Sequence, residues 1–447
     1  AATQHSSTTF SVDKTAPTIS DVTTSWGSVL NSIEDNSDGT VTIATSGAED
    51  GQTVTVVLNS KSYTGTVSSN TTSITVSAAD LQALSESSTY TLSANVSDAA
   101  GNAATQHSST TFSVDKTAPT AVLSSVADNV GSVSGALSDG QTTDDTAVVI
   151  TGTNEAGSTV DVYNGTTKLG AATVIGTNWT YEAALSDGTS YALNAIETDS
   201  VGNPSSPTSN FTVIGDTTAP TISDVTTSWG SVLNSIEDNS NGTVTIATSG
   251  AEDGQTVTLV LNSKSYTGTV SSNTTSITVP AADLQALSES STYTLSADVS
   301  DAAGNAATQH SSTTFSVDKT APTAVLSSVA DDVGSVVGNL SSGQTTDDTA
   351  VVITGTNEAG STVDVYSGTT KLGAATVNGT NWTYEATLSD GTSYALNAIE
   401  TDAAGNPSSA TSNLTVIGDT TAPTISGVTA SWGSVLNSIE DNSNGTV

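Results

Sequence analysis

Short runs in which apolar and polar residues alternate recur along the whole chain. Examples are TVTIAT at 40 to 45, YTLSANV at 90 to 96 and YALNAI at 191 to 196. A period of two places the apolar side chains on one face, so each run predicts a half-buried β-strand. Gly, Asn, Asp and Ser separate the runs at intervals of roughly 8 to 12 residues, which is typical of β-sandwiches. One segment, AADLQALSES at 78 to 87, predicts no more than a helical turn within a loop.

The chain is internally repetitive, and the triplet Thr-Ala-Pro sets the period. Its prolines are 102, 101, 102 and 101 residues apart, at Pro17, Pro119, Pro220, Pro322 and Pro423. Two unit types therefore alternate. We place A-type units at 13–114 and 216–317, and B-type units at 115–215 and 318–418. Residues 1–12 are interpreted as the closing strand of a truncated A-type unit, and residues 419–447 as the start of another.

About 100 residues are enough for one hydrophobic core per unit. The expected fold class is therefore all-β, a tandem array of Ig-like seven-stranded β-sandwich domains. Each unit also has a Leu six residues before a Tyr that opens an alternating run, which predicts a tyrosine corner at Tyr90, Tyr191, Tyr293 and Tyr394. The chain has no cysteine, and its tryptophans do not fall on the third strand as they do in antibody domains.

Both unit types share a short set of motifs. They begin with Asp-x-Thr-Ala-Pro, continue with a Glu two residues before a Gly (EDGQTVTV at 49 to 56, EAGSTVDV at 155 to 162), and end with Asp-x-x-Gly-Asn (DAAGN at 98 to 102, DSVGN at 199 to 203). With these motifs and this period, the chain resembles the bacterial Ig-like repeats of giant calcium-binding surface adhesins of the type I secreted, RTX/Bap-like kind. The resemblance implies a calcium-rigidified extender stalk on a bacterial cell surface, with the adhesive domain elsewhere.

The residues themselves also point to calcium. Because the chain of a sandwich alternates direction, the start of the first strand, the loop after the second and the loop after the sixth meet at one pole. Two carboxylates about 4 Å apart repel by roughly 4 kcal/mol at an effective dielectric constant near 20, and 45 acidic residues face only seven basic ones. Calcium accepts six to eight oxygen ligands at variable geometry, whereas magnesium is stricter.

We predict one set of calcium ligands for each pole. The candidate residues are Asp13, Glu49, Asp50, Asp98 and Asn102; Asp115, Glu155, Asp199 and Asn203; Asp216, Glu252, Asp253, Asp301 and Asn305; Asp318, Glu358, Asp402 and Asn406; and Asp419.

The Asp-x-Thr-Ala-Pro motif is also the linker between units, so a cation held there would fix the angle between neighbours. Acids at the opposite pole of the preceding unit, near Asp80 and Glu86 or near Asp187 and Asp390, could complete its ligand shell. A turn-only interpretation competes with this one, because Asp98 and Gly101 also fit a type I turn and a linker Asp can cap its own backbone.

The segment IEDNSDG at 33 to 39 resembles the start of an EF-hand loop. An EF-hand needs a Glu at its twelfth position, where this chain has Thr45. The segment is therefore predicted to be a hairpin loop.

Charge and composition narrow the function. A formal net charge of −38 disfavours binding to nucleic acid or anionic lipid, which carry the same sign. No apolar run of 18 residues is present, so no membrane insertion is expected in this window. The three histidines, His5, His107 and His310, are one repeat position without a nearby nucleophile, and no catalytic motif is found, so we expect no enzyme.

Two functions remain. The first is a non-catalytic extender that projects a distal adhesive domain for attachment or biofilm formation, with the neighbouring repeats of the chain, and other copies of the adhesin, as its partners. The second is a recognition module that binds glycans or associates with itself between cells. Tryptophans exposed beside a groove would favour the second.

Overall fold

The computed structural model describes residues 8–335, 337–436, 438–439, 441 and 444–446. The chain forms two compact units, Ala1–Ala219 with Ser300–Ala306, and Pro220–Val299 with Ala307–Val447. The strands of each unit pair into an A-type and a B-type sandwich.

The first A-type sandwich packs a three-stranded sheet, ordered β1-β3-β6, against a five-stranded sheet, ordered β2-β8-β7-β4-β5. Its elements are β1 (Thr18–Thr24), β2 (Val29–Leu30), a 3-10 helix (Glu34–Asn36), β3 (Gly39–Ser46), β4 (Thr53–Leu58), β5 (Lys61–Thr66), β6 (Thr71–Val76), α1 (Ala78–Gln82), β7 (Thr89–Val96) and β8 (His107–Val114).

The first B-type sandwich has two five-stranded sheets, ordered β10-β9-β12-β16-β15 and β11-β18-β17-β13-β14. Its strands are β9 (Val122–Asp128), β10 (Gly135–Ala136), β11 (Gln141–Thr143), β12 (Ala147–Thr153), β13 (Thr159–Asn164), β14 (Thr167–Ala171), β15 (Thr173–Ile175), β16 (Asn178–Ala184), β17 (Ser190–Thr198) and β18 (Phe211–Gly215).

The second unit repeats both sandwiches with the same strand orders. Its A-type elements are β19 (Thr221–Thr227), β20 (Val232–Leu233), a 3-10 helix (Glu237–Asn239), β21 (Gly242–Ser249), β22 (Thr256–Leu261), β23 (Lys264–Thr269), β24 (Thr274–Val279), α2 (Ala281–Gln285), β25 (Thr292–Val299) and β26 (His310–Val317). Its B-type strands are β27 (Val325–Asp331), β28 (Gly338–Asn339), β29 (Gln344–Thr346), β30 (Ala350–Thr356), β31 (Thr362–Ser367), β32 (Thr370–Ala374), β33 (Thr376–Asn378), β34 (Asn381–Thr387), β35 (Ser393–Thr401) and β36 (Leu414–Gly418).

This architecture confirms the predicted Ig-like sandwich. In the A-type fold the first strand is split, because β1 lies in one sheet while β2 crosses to the other and runs parallel to β8. Counting β1 and β2 as one strand gives the expected seven. The B-type fold splits its first strand in the same way, into β9 and β11, and adds the short strands β10 and β15.

Each sandwich buries its own apolar core. The apolar residues of the alternating runs make up this core. Along β3, Val41 and Ile43 are fully buried, while Thr42 between them is half-buried. In the A-type core, Trp26 meets Phe112 edge to face at 5.3 Å between ring centroids. In the B-type core, Trp179 packs over Gly152 of the neighbouring strand, its cross-strand partner.

The tyrosine corner forms as expected. The Ser85 amide donates to the Tyr90 hydroxyl at 2.9 Å, and the Ser186 amide donates to the Tyr191 hydroxyl at 3.0 Å. The second unit has the same bonds to Tyr293 and Tyr394. The corner therefore fixes the entry into the sixth strand of every sandwich.

Two expectations differ from the structure. The segment at 33 to 39 was expected to be a hairpin loop, and this is wrong: it contains a 3-10 helix that carries the chain from β2 in one sheet to β3 in the other. The expected closing strand at 1–12 lies partly outside the described residues, as does His5, and residues 8–12 form no strand. Among the described residues, no helix is long and apolar enough to cross a membrane.

The close packing of Trp179 on Gly152 gives a first prediction. A Cβ at Gly152 would lie 2.0 Å from the Val122 carbonyl oxygen and 2.4 Å from the indole, and Gly355 has the same surroundings. We expect Gly152→Ala with Gly355→Ala to destabilise both B-type sandwiches by about 1–3 kcal/mol. Calorimetry of the full chain would show the B-type transitions shifted and the A-type transitions unchanged.

The control replaces the neighbouring exposed strand residues, Thr153→Ala with Thr356→Ala, and should change stability by no more than about 0.5 kcal/mol. Equal effects of the glycine and threonine variants would contradict this account of the core.

Candidate functional site

Every linker begins with the same local hydrogen bond. The carboxylate of Asp13 accepts from the Thr15 amide at 2.9 Å, and that of Asp216 accepts from the Thr218 amide at 3.1 Å. Asp115, Asp318 and Asp419 repeat the bond at 3.3 Å. The linker aspartates thus shape the turn that leads into Thr-Ala-Pro.

The Asp-x-x-Gly-Asn loop is wrapped around its own carboxylate. One oxygen of Asp199 accepts the backbone amides of Val201, Gly202 and Asn203 at 2.7–2.9 Å, and the other accepts the Asn203 side chain at 2.8 Å. Burial opposes ionisation of Asp199, but these hydrogen bonds outweigh it and lower its pKa. In the A-type loop the Asn102 side chain is the main reason that the pKa of Asp98 is lowered.

The asparagine that ends this loop ties the linker to the loop. Asn203 is fully buried, and its side-chain amide donates to the Asp115 carbonyl at 3.0 Å. The equivalent bonds are Asn102 to the Asp13 carbonyl at 3.2 Å, Asn305 to the Asp216 carbonyl at 2.8 Å and Asn406 to the Asp318 carbonyl at 3.0 Å. The linker and the loop after the sixth strand therefore meet at one pole.

Within each unit, the same asparagine also binds the preceding A-type sandwich. The Ser32 amide donates to the Asn203 side-chain oxygen at 2.7 Å, and the Asn31 side chain donates to the Val201 carbonyl at 2.8 Å. The second unit has these bonds between Ser235 and Asn406 and between Asn234 and Ala404. One side chain thus joins two sandwiches and the linker between them.

A lysine in the linker also contacts the A-type sandwich at this junction. Lys116 donates to the carbonyls of Gln82 and Leu84 at 3.1 and 3.0 Å, and its ammonium lies 3.4 Å from the carboxylate of Asp35, which is 7% exposed. Asp35 belongs to the 3-10 helix, in the segment expected to resemble an EF-hand. The linker amide of Lys116 in turn donates to Glu86 at 2.9 Å. The A-to-B junction therefore has its own counter-charge.

The opposite end of the B-type sandwich has acids, and in the part of the chain that the structure describes no lysine pairs with them. Asp128 and Asp145 are each 3% exposed and are hydrogen-bonded, whereas Asp144 has one buried oxygen without a partner among the described residues. Burial first, and then the charges of Asp128, Asp145 and Asp301, raise the pKa of Asp144. Asp301 is in the loop Ser300–Ala306, which belongs to this compact unit.

Asp187 binds the linker where it leaves this end of the sandwich. Its carboxylate accepts from the Thr217 amide at 2.6 Å and from the Thr218 hydroxyl at 2.7 Å. Thr217 occupies the place of Lys116 in the other linker type. In the second unit, the equivalent end has a cavity of about 720 Å³ lined by Asp331, Asp347 and Asp419. These acids face open space without a lysine among the lining residues.

The predicted glutamates behave differently in the two sandwich types. The Glu49 carboxylate accepts the Ala99 amide at 2.8 Å, so it reaches the Asp-x-x-Gly-Asn loop. Glu155 is exposed. Its backbone amide, rather than its carboxylate, makes the contact, and it donates to the Glu197 side chain at 2.6 Å. Glu358 repeats this contact with Glu400. Asp50 and Asp253 accept the amides of Ser69 and Ser272 instead, in the turn after the fourth strand.

In the described part of the chain, no three histidine or acidic side chains form a group that could hold one metal ion. The proposed calcium ligands therefore remain predictions. Sequence reasoning missed Asp144, Asp35 and Glu197. Glu197 could have been found, because it stands at an inward position of the alternating run Leu193, Ala195, Glu197, where an apolar residue is expected.

The junction asparagine gives a second prediction. Asn203→Ala leaves the Ser32 amide and the Asp115 carbonyl without their partners, at a cost of about 1–3 kcal/mol for a buried polar group. We expect hydrogen exchange in a peptide covering residues 30–40 to accelerate by about tenfold or more. The matching peptide of the second unit, residues 233–247, keeps Asn406 and is the internal control. Asn241 in place of Asp38 distinguishes it from the first copy, and residues 245–247 distinguish it from the identical sequence at 436–447. Equal exchange in both peptides would contradict the bridging role of Asn203.

Two family models match this sequence. The one described as "Bacterial Ig-like domain" matches residues 120–217 and 320–420, and the one described as "Bacterial Ig-like domain (group 3)" matches residues 75–153 and 177–316. Among curated proteins, no relative matches.

Several solved structures are similar to this chain. A Ca2+-stabilized adhesin with which an Antarctic bacterium binds ice is 24% identical with a TM-score of 0.35, over 90% of this chain and 99% of that one. A 1.5-MDa bacterial ice-binding adhesin is 25% identical with a TM-score of 0.30, over 68% and 98%. A tetra-tandem repeat from the extending region of a large adhesion protein is 18% identical with a TM-score of 0.25, over 90% and 99%.

The two family models together cover residues 75–316 and 320–420. The matches of the first model coincide with the two B-type sandwiches, and those of the second run across the junctions between sandwiches. The sandwiches of this chain are bacterial Ig-like domains.

Proposed function

We propose that this chain is a non-catalytic extender segment of a bacterial cell-surface adhesin. In this proposal the sandwiches are spacers outside the cell, and they project a distal adhesive domain for attachment or biofilm formation. Calcium at the linkers makes the junctions stiff. The partners of each sandwich are its neighbours in the same chain.

The observation that carries the proposal is the shared asparagine. In an array of independent binding modules, a linker need only be long enough to connect them. Here the side chain of Asn203 is fully buried and binds its own loop, the linker and the preceding sandwich at once. Asn406 does the same in the second unit. Bonds of this kind favour a fixed angle between neighbours, which is what a spacer requires.

The case for calcium is electrostatic. Of the seven lysines, Lys116 and Lys319 neutralise an acid at the A-to-B junction, and four others pair with Asp80, Asp161, Asp283 and Asp364 within their own sandwiches. Within the described ranges, Asp144 keeps an unpartnered buried oxygen beside Asp128 and Asp145. Carboxylates and amide oxygens are the ligands that calcium prefers. We therefore expect the strongest need for a cation at the linkers that begin with Asp216 and Asp419.

The recognition alternative has less support. Aromatic platforms for glycans must be exposed, but Trp26, Trp179, Trp229 and Trp382 are between 1% and 4% exposed. These four tryptophans belong to the cores of the sandwiches.

Small-angle scattering of the full chain tests the proposal. With calcium present, we expect a larger maximum dimension and a narrower range of conformations than in EGTA, because repulsion between unneutralised acids loosens the junctions. Magnesium at the same concentration is the control for ionic strength and should restore little of the difference. Identical scattering in calcium and in EGTA would overturn the calcium part of the proposal.

A double variant tests the acid-rich ends of the two B-type sandwiches. Because the pKa of Asp144 is raised, its charged form costs stability at neutral pH, and this cost disappears as the pH falls through that pKa. We expect Asp144→Asn with Asp347→Asn to raise the melting temperature in EGTA by a few degrees and to reduce the further rise caused by calcium. The exposed pair Glu182→Gln with Glu385→Gln should change neither. Lower stability of the Asp144 variant in EGTA would contradict this interpretation.

A further inference from the structure

Each B-type sandwich buries one glutamate completely, and among the described residues no lysine pairs with it. Glu197 lies near the end of β17 and is 0% exposed. Its Oε1 accepts the Glu155 amide and the Ser158 hydroxyl, both at 2.6 Å, whereas its Oε2 is buried and has no hydrogen-bond partner in the described part of the chain. Glu400 repeats the arrangement, including the unpartnered oxygen.

A second unpartnered oxygen belongs to the same cluster. Asn154 is 7% exposed, and its Oδ1 is buried without a partner among the described residues. Its amide nitrogen donates to the Glu155 carbonyl at 2.6 Å and to Ser158 Oγ at 3.2 Å. Asn154 and Glu197 thus share the hydroxyl of Ser158, and both place an unsatisfied oxygen beneath the loop after the second strand.

The A-type sandwich shows that the fold does not need polar groups at this place. Val160 pairs with Glu197 across the B-type sheet, and the equivalent pair in the A-type sheet is Val54 with Val96. The position of Asn154 is held by Ala48. Ala48 and Val96 are 5% and 3% exposed and belong to the apolar core. The A-type fold closes this end of its core with two small apolar side chains, and the B-type fold places an amide and a carboxylate there.

Electrostatics limits what can satisfy the B-type cluster. A buried carboxylate is costly unless it is paired, and removing one partner of a buried ion pair is strongly destabilising. Among the described residues, no lysine forms an ion pair with Glu197 or Glu400. A water molecule would complete the hydrogen bonds of the two oxygens but would leave the charge unbalanced. A small cation would do both.

We propose that each B-type sandwich binds one calcium ion at this cluster, with Glu197 and Asn154 as side-chain ligands in the first copy and Glu400 and Asn357 in the second. Ser158 Oγ lies 2.6 Å from Glu197 Oε1, and the Glu155 carbonyl lies 2.6 Å from the Asn154 amide nitrogen, so two further oxygens flank the proposed ligands. One carboxylate with several neutral oxygens is a ligand set that suits calcium better than magnesium. The site lies inside one sandwich, and its side-chain ligands are not among the linker candidates, with which it shares only Glu155.

The test counts calcium ions bound to the full chain and follows the melting of the B-type sandwiches by calorimetry. We expect Glu197→Gln with Glu400→Gln to lose one ion per B-type sandwich. We also expect it to lose most of the calcium-induced rise in the B-type melting temperature, while its melting temperature in EGTA rises. The matched control, Glu182→Gln with Glu385→Gln, removes the same charge from exposed positions on β16 and β34 and should bind like the parent chain.

A second variant copies the A-type residues into the B-type cluster: Asn154→Ala and Glu197→Val, with Asn357→Ala and Glu400→Val. It should fold without calcium and show no calcium-induced rise in B-type melting. The proposal is overturned if either variant binds as many ions as the parent chain, or if the second variant keeps the full calcium response. Loss of these ions with an unchanged scattering difference between calcium and EGTA would leave the linker proposal standing, so the two can fail separately.

Discussion

The arrangement of neighbouring sandwiches within each unit depends on a buried amide that must satisfy all its hydrogen bonds. Asn203 has no access to solvent, so each of its donors and acceptors needs a protein partner. It finds them in its own loop, in the linker carbonyl of Asp115 and in the Ser32 amide of the preceding sandwich. Moving either sandwich away would leave buried polar groups unpaired, and this penalty gives the junction a preferred geometry.

The two linker types differ in what neutralises the acidic side chains around them. Where the linker begins with Asp-Lys, the lysine ammonium reaches the carboxylate of Asp35 and two backbone carbonyls, and the junction is neutralised from within the chain. Where it begins with Asp-Thr, the threonines bind Asp187 and no ammonium approaches Asp144 among the described residues. In a chain with a net charge of −38, the counter-charge that we propose there is an external cation. Alternation of the units therefore also alternates the chemistry of the junctions.

Much of the fold could be predicted from local patterns. Alternation at period two indicated the strands, the Thr-Ala-Pro spacing gave the repeat, and the Leu-to-Tyr spacing predicted the corner at Tyr90, because each of these is set by nearby residues. Convergence of the linker with the Asp-x-x-Gly-Asn loop followed from the alternating chain direction alone. The 3-10 helix at Glu34–Asn36 was not predictable in this way, because its shape depends on a crossover between two sheets.

The candidate sites were harder to predict for a related reason. The sequence shows which acids are present, but not which of them are already satisfied by their own loops. Asp199, whose role as a calcium ligand stays a prediction, already accepts three backbone amides and one side chain of its own loop. Glu197 was overlooked because a glutamate near the end of a strand is usually exposed, and here it is 0% exposed. Which oxygens are left without partners is a property of the folded chain.

The most direct test of the central claim is a distance measurement across one junction. The chain has no cysteine, so spin labels at Ser62→Cys and Thr173→Cys, both exposed, would report only on the first two sandwiches. Pulsed electron resonance should give one narrow distance distribution if Asn203 and Lys116 hold these sandwiches together. A broad distribution, such as a freely jointed linker produces, would contradict the account.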